Sequence, residues 1–137
     1  MKTLVLILTG FTMALSSSAF ASNCKVVAHS DSDVLTAGLT KVLTEHGYTV
    51  SDDTDSEYTA IGMTGDYEDG NTRIETEIKL LANNRTEIAY GVGKSRFPLV
   101  LIALQLCDED EDCLARKYNQ SIRRALRSFS RNLEVCR

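Results

Sequence analysis

The chain contains no tryptophan, one proline and only two histidines. With a single proline, at position 98, it has no proline-rich linker, and no internal repeat divides it, so it reads as one domain. The two histidines, His29 and His46, do not make a tetrahedral zinc set with the cysteines, because one falls on a strand and the other on the apolar face of a helix. A glycine-rich phosphate loop is missing as well: Gly91-Val92-Gly93-Lys94-Ser95 lacks the upstream glycine spacing and follows a hairpin strand. Nor is there a nucleophile with a base and an orienter, since His29, Ser30 and Asp31 are sequence neighbours whose side chains alternate in direction. The chain is therefore expected to be no enzyme and to need no cofactor or metal.

Long apolar runs are scarce, and the first of them is an address. Met1-Lys2, the stretch Leu4 to Leu15, and Ala19-Phe20-Ala21 before Ser22 are the charged, apolar and cleavage regions of a secretory signal. Residues 1–21 are expected to be removed, leaving a domain of residues 22–137 with no segment long enough to span a bilayer. Asn23 and Ala21 occupy the positions where a lipidation motif on Cys24 needs other residues. An exported chain with four cysteines defaults to disulfides, and the destination is periplasmic or secreted.

Three connectivities are open to four cysteines. Pairing Cys24 with Cys136 and Cys107 with Cys113 would tie the C-terminus to the first strand and close the acidic run "CDEDEDC" into a stapled corner. As a calcium loop that run fails, because Cys113 stands where the turn glycine belongs and Asn119 where the bidentate glutamate belongs. As a redox pair it also fails, since five carboxylates raise a thiol pKa rather than lower it.

Hydrophobic periodicity lays out an α+β fold. "CKVVAH" suits a strand; Leu35, Leu39, Val42 and Leu43 make one helical face that Gly47 ends; "YTV" begins a second strand, parallel to the first across the helix. "EYTAIGMTGDY", "TRIETEIKLLA" and "RTEIAYGVG" follow as an antiparallel meander. Ile74, Thr76, Ile78 and Leu80 alternate there with Arg73, Glu75, Glu77 and Lys79, and Thr86, Ile88, Tyr90 and Val92 with Arg85, Glu87, Ala89 and Gly91, leaving one face wet. Asp69-Gly70 and Asn83-Asn84 are expected to supply the positive-φ turn residues. Two C-terminal helices, "LVLIALQLC" after Pro98 and an amphipathic one over 112–133, are expected to pack on one face of the sheet.

Charge is divided unevenly. Ser22 to Cys113 holds 18 acidic residues against 7 basic, and Leu114 to Arg137 one against 7. On the last helix Leu114, Tyr118, Ile122, Ala125, Phe129 and Leu133 form an apolar stripe, and Arg116, Lys117, Arg123, Arg124, Arg127 and Arg131 a basic one. The basic stripe is the candidate partner surface, either for a protein or for another envelope component; nucleic acid does not fit an exported chain of pI near 5.1. A different use of the same chain is as a secreted inhibitor of a hydrolase, acting through the stapled acidic loop.

The stretch Leu35 to Met63, "LTAGLTKVLTEHGYTVSDDTDSEYTAIGM", resembles small bacterial envelope accessory domains, such as Tol-system N-terminal, curli-secretion-like and related periplasmic lipoprotein domains. In these a helix ends in Gly-aromatic-x-Val and a polar link leads to a meander. The resemblance implies a non-catalytic α+β domain that binds protein or envelope components.

Overall fold

The computed structural model describes residues 24–68, 72–96 and 111–137. β1 (Lys25–Ser30) enters the middle of the molecule, and α1 (Asp33–Glu45) returns across it to β2 (Thr49–Val50), which lies parallel to β1. α1 starts where the Ser32 side chain accepts from Leu35 N at 3.1 Å, occupying one of the amide donors that a helix start leaves unpaired. It ends at Gly47, whose φ of +83° is the left-handed conformation that a side chain disfavours. Leu35, Leu39 and Leu43 recur every fourth residue on the side that meets the sheet, and all three are fully buried.

β3 (Tyr58–Glu68) passes to the other side of β1 and also pairs with it in parallel, then β4 (Thr72–Ala82) and β5 (Glu87–Arg96) extend the sheet antiparallel. The order is β2-β1-β3-β4-β5, a mixed five-stranded sheet. α2 (Glu111–Asn132) packs on β5 and β4, on the same side as α1, so this is an α+β fold with its helices on one face. The helix expected after Pro98 falls outside the described residues, as does the turn expected at Asp69-Gly70.

Two expectations about the meander need correcting. At the β4–β5 turn the positive φ belongs to Arg85, at 65°, and not to Asn83 or Asn84. Arg85 N donates to Ala82 O and Ala82 N to Thr86 O, a three-residue loop in which the left-handed residue comes last; Asn84 contributes by accepting from Thr86 N. On β5 the period of two holds, but the small set, Ala89, Gly91, Gly93 and Ser95, faces the core. Tyr90 and Val92 stand on the open face, and Ile88 is exposed beside a bulge opposite Leu80 and Leu81. Proximity to α2 decides this: a Cβ on Gly91 would meet the Phe129 backbone, and one on Gly93 the Ser121 carbonyl and the Ala125 amide.

Candidate functional site

α2 is amphipathic in space as in sequence. Ile122, Ala125 and Phe129 are buried against the sheet, with Leu133 just beyond the helix end. On the solvent side Arg116, Arg123, Arg127 and Arg131 are exposed, and Lys117 is half-buried. Arg123, Arg127 and Arg131 make no ion pair with a described residue. Arg124 is used differently from its neighbours: its Nη1 donates to Lys94 O at 2.6 Å, and Asn132 Nδ2 donates to Tyr90 O at 2.8 Å. Both acceptors lie on β5, an edge strand among the described residues, so α2 covers part of that edge.

α1 and α2 run in the same direction. They begin at the end of the molecule where β1, β3 and β5 finish, and there they stand apart; at Gly38 they touch, since a Cβ on that residue would run into Leu126. Beyond it the helices are locked. His46 Nδ1 lies 2.8 Å from Val42 O and Nε2 3.1 Å from Ser130 O, Cys136 N donates to His46 O, and Tyr48 OH reaches Glu134 O. A Cys24–Cys136 disulfide completes this end, joining residues 112 apart in sequence. Burial, with Tyr58 and Glu134 beside it, raises the Tyr48 phenol pKa above its ordinary value.

Between the separated halves of the helices lie two adjoining hollows of about 410 and 470 Å³, which share Val34, Asn119 and Ile122. Their apolar part is Val34, Ile122 and Leu126; Arg116 and Arg123 form a wall, and Asp31, Ser32 and Thr64 close the head. Thr64 begins a hydroxyl ladder that runs into the core, 3.1 Å to Thr76 Oγ1 and from there 2.7 Å to Ser121 Oγ, which donates to Tyr118 O. Thr76 and Ser121 are wholly buried, so each needs these partners. The periodicity of α2 locates its basic stripe, but nothing local in the sequence places Val34 opposite Ile122.

His29 is exposed on the open sheet face, and His46 is held between carbonyls. Among the described residues no three His, Cys, Asp or Glu side chains gather as a metal set, and no helix is long and apolar enough to cross a membrane. Cys113 is disulfide-bonded, while Cys107 and the carboxylates of Asp108, Glu109 and Asp110 lie outside the described residues, as does the leader at 1–21.

No protein-family model matches the chain, and no curated protein matches it. Among solved structures it is similar to a minor lipoprotein from Acinetobacter baumannii, at a TM-score of 0.46 and 16% identity, over 82% of this chain and 94% of that one. A likeness of that degree assigns neither a family nor an activity.

Proposed function

We propose that the chain is an exported, non-catalytic binding domain of the bacterial envelope, released after Ala21 and folded over residues 22–137, with the exposed cationic side of α2 as its contact surface. The observation that carries this reading is that Arg123, Arg127 and Arg131 face solvent without an ion pair to any described residue, on a chain whose net charge is −4. A local cationic strip on an acidic protein marks a partner with anionic groups, either a protein or another envelope component. The Cys24–Cys136 bond supports export, since such bonds persist in oxidising compartments, and it occupies the sulfur that lipidation would need. Cys107–Cys113 is the second staple of this reading.

Mass spectrometry of the secreted protein, reduced and non-reduced, tests export and stapling together: Ser22 is expected at the N-terminus, and a lipidated Cys24 or a free Cys107 would contradict the proposal. For the surface, the purified chain is sedimented with washed envelope fragments at low and high salt. Binding is expected at low salt, with release as salt rises and loss in an Arg123→Glu/Arg127→Glu variant. Binding indifferent to salt and to the charge reversal would remove α2 from the role.

A further inference from the structure

Among the described elements α1 and α2 cover one face of the sheet, and the other face carries an apolar band with a charged centre. Across three strands the registers set two rows side by side: Met63, Glu77 and Val92 in one, Ile61, Lys79 and Tyr90 in the next. Met63 is 63% exposed and Ile61 36%, and the salt bridge from Lys79 to Glu77, at 3.1 Å, joins the rows at their middle strand. Ile61, Met63, Glu77, Lys79 and Leu81 line a hollow of about 320 Å³ on this face. The band lies away from where residues 97–110 leave the sheet and return. Arg96, just before them, is level with Arg73, about 20 Å along β4 from Lys79, and Glu111, just after them, starts α2 on the covered face.

Each row is complementary to the other, which is the condition for a symmetric pair. When a second copy is laid on this face with its two-fold axis running across the strands between the rows, each row meets the other one. Met63 then stands over Ile61, Val92 over Tyr90, and Glu77 over Lys79, each contact occurring twice. Other placements on β4 fail on charge. An axis through either row sets Glu77 on Glu77 or Lys79 on Lys79, an axis along β4 does both, and an axis between the rows of Glu75 and Glu77 sets carboxylate on carboxylate. The favoured placement also fits in shape, since the protruding Met63 of each copy enters the hollow that contains Ile61 of the other.

We propose that the open face of the sheet pairs with a second copy of this chain, sheet on sheet, about the two-fold between these rows. Four strands spaced about 4.8 Å apart, over six residues, give a flat footprint of about 400 Å² per copy, against about 800 Å² per partner in a standard interface. The dimer is therefore a weak one, which forms and parts at micromolar concentrations. α2 lies on the opposite side of the sheet, so pairing leaves both cationic strips outward and does not depend on what they bind.

The test is sedimentation velocity of the purified exported chain, from micromolar to several hundred micromolar. The parent is expected to pass from monomer to dimer over that range. Glu77→Lys and Lys79→Glu each bring like charges together twice, and each variant alone is expected to dissociate at least about tenfold more readily. Mixed in equal amounts the two become complementary, because every cation of one faces an anion of the other, and dimer is expected to return. Met63→Lys is expected to stay monomeric. All three sites are exposed, so the fold is kept, and circular dichroism checks this. A parent that stays monomeric overturns the inference and leaves the face to residues 97–110 of the same chain or to another protein. So does a dimer indifferent to the single reversals, or a mixture no more associated than its components. None of these outcomes touches the reading of α2, which falls only if the Arg123→Glu/Arg127→Glu variant binds envelope fragments unchanged.

Discussion

Gly91 and Gly93 set the distance between α2 and the sheet, because the helix backbone occupies the space where their side chains would be. Gly93→Ala is expected to cost about 3 kcal/mol, toward the upper end of what overpacking does, since rigid backbone rather than a flexible side chain stands in the way. Denaturant titration would show it; a loss under about 0.5 kcal/mol, the range of an ordinary surface change, would mean that the helix lifts freely. Tyr48 acts through protonation instead. Its folded-state pKa is raised, so below its unfolded value both states hold the proton and stability is unaffected. As pH rises past that value the unfolded chain ionises first, and stability falls. Tyr48→Phe is expected to flatten this alkaline loss, read from denaturation midpoints between neutral and strongly alkaline pH.

Among the elements, β4 and β5 differ in how far their sequences disclose their surroundings. β4 alternates isoleucine and leucine with charged residues, so hydropathy alone picks its buried side, and Ile74, Ile78 and Leu80 are there. β5 alternates two sets of little charge, and the set that goes inward is the smaller one, a choice made by a helix about 30 residues further on. The β4–β5 turn was legible in place but not in conformation, because the asparagines contribute a side-chain acceptor while Arg85 takes the strained dihedral. The basic stripe of α2 follows from periodicity. That Arg124 leaves it to serve the β5 edge does not, since its acceptor is a backbone carbonyl that no side-chain pattern reveals. Arg124→Ala with Asn132→Ala is expected to cost about 1–3 kcal/mol for the two bonds and, more tellingly, to promote self-association through the uncovered strand. Sedimentation velocity over a range of concentrations would detect it; a variant no more associated than the parent would mean that the edge is protected by other means.

The whole molecule is fastened at one end. The disulfide, the His46 bridge between helix carbonyls and the Cys136–His46 backbone bond all lie where the helices finish, and the two hollows lie toward where they start. Replacing Cys24 and Cys136 together by serine removes a constraint on nearly the entire chain, for which loop entropy gives about 4.7 kcal/mol. A domain of this size has only about 5–15 kcal/mol in total, so the variant is expected to melt well below the parent. Yet α2 is held on the sheet by other means: Gly38 against Leu126, the Thr64–Thr76–Ser121 ladder, and the burial of Ile122 over the sheet. At temperatures where the serine variant is still folded, its low-salt binding to envelope fragments should therefore match the parent's within about threefold. Thermal melts paired with sedimentation of the same samples separate the two effects. An unchanged melting temperature would make the disulfide ornamental to stability, and lost binding in a folded variant would mean that the fastened end sets how α2 presents its arginines.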